Sequence, residues 1–169
     1  MKSKMHERKK SSYKLVSKKS LIYLLISFIS LTTFAQNETK RIANFNLESR
    51  LGIQGYDPVA YFKQGKAVKG KKDLTAAYEG VTYTFSMPIN KAIFLKNPSG
   101  YEPQFGGWCA YAMGDSGTKV EINPQTFKIV DGKLYLFYNA YFNNTLKSWN
   151  KDEANLKSKA ESNWKKTIK

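Results

Sequence analysis

Two stretches of the chain alternate apolar and polar residues with period two, and each alternation is broken by a two-residue turn signal. In 75–85, Val81, Tyr83 and Phe85 fall on one face and Thr82 and Thr84 on the other, with Glu79-Gly80 just before them. That is the pattern of a hairpin with one buried face. In 126–137 the pair Asp131-Gly132 is the one favoured in two-residue primed turns. With those residues as the loop, Val130 faces Lys133, Ile129 faces Leu134 and Phe127 faces Leu136. Phe127, Ile129, Leu134 and Leu136 then share a face, and a slip of one residue would bury Lys128 or Lys133 instead.

Elsewhere the period lengthens to that of a helix. Ser86 is placed to cap one, with Pro88 in its first turn, where a missing N–H costs little. This helix is expected to run to about Lys96 and to stop at Asn97-Pro98, because a proline disfavours helical geometry in the residue before it. In the last third, Phe142, Leu146 and Trp149 fall at i, i+4 and i+7, and Leu156, Ala160, Trp164 and Ile168 at successive steps of four. Two helices follow, each with an apolar stripe facing the core, and Asn150 followed by Glu153 marks the start of the second. The expected fold is α+β: a small antiparallel sheet built from two hairpins, one helix after the first hairpin, and two C-terminal helices packed on it.

Three segments carry no period. Residues 36–50 (QNETKRIANFNLESR) are polar and read as a flexible lead-in, which puts the folded domain at 51–169. YDPVAYF at 56–62 turns at Asp57-Pro58 and leads into Lys63, Lys66, Lys69, Lys71 and Lys72, a solvated basic loop. SGYEPQFGGWCAYAMGDSG at 99–117 is the least regular part, and Gly106-Gly107 allow a close backbone approach just before Trp108-Cys109.

Composition narrows the class. With 41% hydrophobic residues, 11 Tyr, 10 Phe and 3 Trp, the 169-residue chain has ample apolar surface to bury, which excludes a disordered protein. One Cys excludes a disulfide-stapled scaffold. The net charge of +15 suggests a nucleic-acid partner until its placement is read. Lys2, Lys4, Arg8, Lys9, Lys10, Lys14, Lys18 and Lys19 stand in the first 35 residues against Glu7 alone. They precede an apolar run, LIYLLISFISLTTF from Leu21 to Phe34, and Thr33-Phe34-Ala35 then offers small residues at the −3 and −1 positions of a cleavage site. The run is shorter than the roughly 20 residues of a bilayer-crossing helix. Residues 1–35 are therefore expected to be a cleaved signal peptide, and the domain to be exported, periplasmic or secreted, without stable membrane insertion once cleaved. The long basic run leaves an uncleaved N-terminal membrane anchor as the alternative. A lipoprotein is excluded, since the only Cys is Cys109. Among the later lysines no motif makes a basic platform with aromatics, and neither phosphate-binding glycine motif occurs, so no specific nucleic-acid partner is expected.

Cleavage would also remove His6, the only histidine. A Ser-His-Asp or Cys-His arrangement, a His-ligated zinc and a His general base are then all excluded. Cys109 and Met113 are the candidate metal ligands: at a spacing of four, thiolate and thioether share a face in a helix or a strand, and together they suit a soft ion such as copper(I). Met87 is a candidate third donor. Two competing readings of Cys109 stand beside this one. It is a redox thiol that needs a partner protein, there being no second Cys to resolve it, or it is a small buried hydrophobe. Tyr56, Asp57, Tyr61, Tyr101 and Gln104 are candidates for lining a small-molecule pocket, or are ordinary core and surface residues.

YDPVAYF at 56–62, YEGVTYTFS at 78–86, NPSGYEPQFGGWCAYA at 97–112 and INPQTFKIVDGKLYLFYN at 122–139 together resemble the exported bacterial YHS-domain proteins. The likeness extends through Trp149 to Trp164, nearly all of the chain after the signal. It implies a small α+β domain and an association with metal handling, since related YHS domains occur in heavy-metal-transporting ATPases and in some oxygenases. It also gives weight to Cys109, because some relatives are selenoproteins. The domain is named for Tyr, His and Ser, and this chain has no His after the signal, so an imidazole-based metal site does not carry over. The expected function is a binding module that takes up or delivers a soft metal ion through Cys109, with the ion or a metal-handling protein as partner and no reaction catalysed. A thiol-redox protein, and a structural or interaction domain with an inert Cys109, are the alternatives.

Overall fold

The computed structural model describes residues 36–169; the signal peptide or anchor expected over 1–35 lies outside the described residues. The described residues begin with helix α1 over 36–44, then β1 (Leu47–Glu48) and β2 (Leu51–Gly52). After a 3-10 turn come α2 (Pro58–Gln64), β3 (Lys71–Tyr78), β4 (Val81–Phe85) and α3 (Pro88–Lys96). Two further 3-10 turns, Pro98–Gly100 and Gln104–Gly107, lead to α4 (Ala110–Asp115), β5 (Asn123–Val130) and β6 (Lys133–Phe137). The short ladder of β7 (Asn139–Ala140) and β8 (Asn143–Asn144), then α5 (Thr145–Trp149) and α6 (Glu153–Thr167), complete it. No helix among the described residues is long and apolar enough to cross a membrane.

The fold is α+β; both expected hairpins form, and the second takes the expected register. Val130 pairs with Lys133, Ile129 with Leu134 and Phe127 with Leu136. Val81, Tyr83 and Phe85 are buried together. The two hairpins nevertheless belong to different sheets. One sheet has the order β1-β2-β4-β3, with β2 parallel to β4 through Leu51 and Thr82, while β5 and β6 pair only with each other. β4 is flanked by β3 and β2, and β6 is flanked by β5 and by a parallel bridge from Pro103 to Leu134.

Helix is more abundant than expected. The segment 36–50, expected as a flexible lead-in, carries α1, β1 and the turn into β2. Arg41, only 8% exposed, anchors it: the guanidinium donates to the Glu79 carbonyl at 3.1 Å, pairs with the Glu102 carboxylate and lies over the Phe45 and Tyr78 rings. Burial by itself would lower the Arg41 pKa, yet the hydrogen bond and charge of Glu102 outweigh it and the pKa is raised. YDPVAYF is a helix, not a turn, because Asp57 and Pro58 act as N-cap and first helical residue of α2. Asp57 is fully buried and accepts five hydrogen bonds. Oδ1 takes the N–H groups of Val59 and Ala60, and Oδ2 takes the Ser86 N–H at 2.8 Å, the Ser86 hydroxyl at 2.6 Å and the Asn90 amide at 2.7 Å. Ser86, expected to cap α3, is thus drawn to Asp57, and Met87 stands at the N-cap with no side-chain bond.

At the C-terminus α6 buries Leu156 and Ala160 as the stripe predicts. Its N-cap is Asp152, not Asn150, and its first residue Glu153 accepts from Lys128 at 2.8 Å and from the Trp149 indole at 3.0 Å. The Lys128 hydrogen bond is the main force holding the Glu153 carboxyl below its usual range, against a smaller effect of burial. The helix expected through Phe142, Leu146 and Trp149 is cut to Thr145–Trp149. Phe142 instead sits at the tip of the β7–β8 hairpin, because Asn139-Ala140 and Asn143-Asn144 pair across it.

β6 divides the core. Its side chains alternate, so Leu134 and Leu136 join Val59, Tyr61, Val81, Tyr83, Phe85, Phe94 and Cys109 in one cluster, while Tyr135 and Phe137 join Phe105, Met113, Trp149, Leu156 and Ala160 in another. Complete burial of each such apolar side chain stabilises by roughly 1.5–3 kcal/mol.

Candidate functional site

The loop that carries the thiol reaches it through a left-handed kink at Phe105 and Gly106. A Cβ on Gly106 would lie 2.7 Å from the Phe45 ring and 2.9 Å from that of Trp164, so the backbone passes where a side chain has no room. Beyond the kink, the Trp108 indole donates to the Asn44 carbonyl at 2.6 Å and Cys109 N–H to the Val120 carbonyl at 3.0 Å. Cys109 then opens α4 and is wholly buried.

Its sulfur stands in a closed circuit of hydrogen bonds. Tyr138 N–H donates to Sγ at 3.3 Å, and Sγ lies 3.4 Å from the Thr145 hydroxyl oxygen. That hydroxyl has one proton, and it donates to the Tyr138 carbonyl at 2.9 Å. The proton between sulfur and Thr145 must therefore belong to Cys109. The circuit runs from Tyr138 N–H to the thiol, from the thiol to Thr145 and from Thr145 back to the Tyr138 carbonyl, and it uses the neutral S–H form. It ties the start of α4 to the exit of β6 and the start of α5. An apolar side chain in place of the thiol would leave the Tyr138 N–H without this acceptor, and an unpaired N–H costs about 1–3 kcal/mol when buried.

The Cys109 and Met113 side chains are both wholly buried, but Cys109 lies in the cluster with Tyr83 and Phe94, and Met113 in the one with Tyr135 and Trp149. Met87 is 41% exposed at the start of α3. Among the described residues no three His, Cys, Asp or Glu side chains are grouped so as to hold a metal. Tyr138 and Thr145, which complete the thiol's environment, carry no sequence signal that links them to Cys109.

The candidate pocket residues do not converge either. Tyr61 is buried and its hydroxyl donates to the Pro124 carbonyl at 2.8 Å; burial raises its pKa. Asp57 is spent on α2, Ser86 and Asn90. Tyr56 lies beneath the Lys69 ammonium at 4.8 Å, Tyr101 packs edge-on against Phe62, and Gln104 faces a groove with Phe45, Glu102 and Trp164. Compared with family models, curated proteins and solved structures, the chain matches none.

Proposed function

We propose that the chain is an exported, YHS-like binding or interaction domain in which Cys109 serves the fold and performs neither redox nor metal chemistry. One observation carries this: the buried thiol has both its donor and its acceptor capacity used within the circuit of Tyr138 and Thr145. A nucleophilic or metal-binding sulfur needs access in the thiolate form, and Cys109 is wholly buried. Export follows from the order of basic run, apolar run and small residues in 1–35.

Thiol labelling tests it directly. In native protein an aromatic disulfide reagent should react with Cys109 at least 100-fold more slowly than in denaturant, and anaerobic titration with copper(I) against a competing chelator should show no tight one-to-one binding. Fast native labelling, or tight binding that disappears in Cys109→Ser, would overturn the structural role and put thiol exchange or metal delivery in its place.

A further inference from the structure

Four hairpins among the described residues turn on two residues, at Ser49-Arg50, Glu79-Gly80, Asp131-Gly132 and Tyr141-Phe142, and in each turn both residues have positive φ. Such turns favour Asn, Asp and Gly, which take left-handed backbone at little cost. Two of the four end on glycine and a third is polar. The fourth alone holds two aromatic rings, Tyr141 at φ 50° and Phe142 at φ 65°. These rings are the most exposed large hydrophobic side chains in the described structure, 91% and 112% accessible, and neither packs on a core cluster. A strained turn that holds its rings away from the protein serves something outside it.

The surroundings indicate what that is. No acidic residue stands between Tyr138 and Lys151, whereas Lys147 in α5 and Lys151 just after it are exposed. The tip is flanked by Asn139, Asn143 and Asn144. Phenylalanine beside tyrosine, with amides around the turn and exposed lysines following in the chain, matches the graded polarity of a membrane interface and the charge of anionic headgroups, and it needs no shaped socket. We propose that Tyr141 and Phe142 form a peripheral docking point whose rings enter the interfacial layer of an anionic phospholipid surface, with Lys147 and Lys151 meeting the headgroups. The proposal rests on the reading of the chain as a binding module and names its surface.

The test uses the full chain carrying F142W as a reporter at the tip. Because the apolar run 21–34 can hold the chain on vesicles by itself, the ring's own environment is read, not the bound fraction. With vesicles of equal phosphatidylglycerol and phosphatidylcholine, the emission added by F142W should move to the blue and be quenched by brominated acyl chains. Both responses should fall at least fivefold on phosphatidylcholine alone and in F142W/K147E/K151E. Y141N/F142G, which installs a favoured turn pair, should melt higher than the parent chain, so that strain at the tip is read without the reporter. An unshifted, unquenched F142W signal on anionic vesicles would overturn the proposal. So would a blue shift that grows with protein concentration without lipid, which would identify a second copy as the occupant, or a lower melting temperature of Y141N/F142G, which would make the rings structural. Cys109 labelling is a separate readout, so failure of the thiol reading and failure of the docking point are distinguishable.

Discussion

Gly114 lies near the end of α4, where a Cβ would collide with the carbonyl oxygen of Leu156 in α6. Backbone cannot yield as a flexible side chain can, so Gly114→Ala should separate the two helices and destabilise the domain by about 3 kcal/mol, at the upper end of ordinary overpacking. Urea unfolding checks this, and a variant within about 0.5 kcal/mol of the parent would show that α4 and α6 slide apart freely. The same closeness explains how Asn163 in α6 donates to the Met113 carbonyl at 2.9 Å, satisfying a group near the end of a short helix. Tyr141 and Phe142 show the opposite economy: each holds a left-handed backbone that costs an L-residue about 1–2 kcal/mol, with no packing gained inside the protein. Cys109 was legible as the chain's only thiol, but its partners were not. Tyr138 and Thr145 lie 29 and 36 residues away, and nothing local couples them to it.

Between elements, the Asp57 carboxylate is the junction of α2, β4 and α3. It caps α2 through Oδ1 and holds Ser86 and Asn90, at the end of β4 and the start of α3, through Oδ2. Asp57→Ala would leave several buried donors without an acceptor, each costing about 1–3 kcal/mol. The expected loss is about 3–5 kcal/mol in urea unfolding, with the shape of the far-ultraviolet circular dichroism retained at low temperature; a loss below about 1 kcal/mol would mean that water replaces the carboxylate. Asp57-Pro58, expected as a turn, carries the residue types of a helix start, because a capping carboxylate before proline at the first helical position is a local device. Its grip on Ser86, 29 residues on, is not local, and this is why Ser86 is no cap for α3. The β7–β8 ladder likewise defeats the i, i+4, i+7 spacing of Phe142, Leu146 and Trp149, because pairing of two Asn-containing strands takes Phe142 out of the helix.

For the whole molecule, buried tyrosines set the alkaline limit. Burial raises the Tyr61 pKa and raises that of Tyr83 well above 10, where the Glu102 charge and the 2.7 Å hydrogen bond to its carboxylate add to the effect. Both groups are neutral in the fold and ionise more readily once unfolded. Their contribution is therefore complete below the unfolded tyrosine pKa of about 10 and is lost as pH rises above it toward the folded values. The urea midpoint should fall steeply from about pH 10 upward, and Tyr83→Phe should flatten that fall at some cost in stability at pH 8 from the lost Glu102 bond; an unchanged slope in Tyr83→Phe would remove Tyr83 from the account. The features that depend on neighbours in sequence followed from the sequence by itself: the α+β class, the two hairpins with the register of the second, the span of α3 between Pro88 and Lys96, and the buried stripe of α6. Side-chain period, turn-pair chemistry and proline geometry act over a few residues, so they can be read along the chain. Only the tertiary structure decided that the hairpins lie in separate sheets, that Arg41 draws 36–44 onto Glu79 and Glu102, and that Cys109 closes a circuit with Tyr138 and Thr145. Each of these depends on which edges and polar groups are already occupied when distant segments meet, and that competition has no local signature.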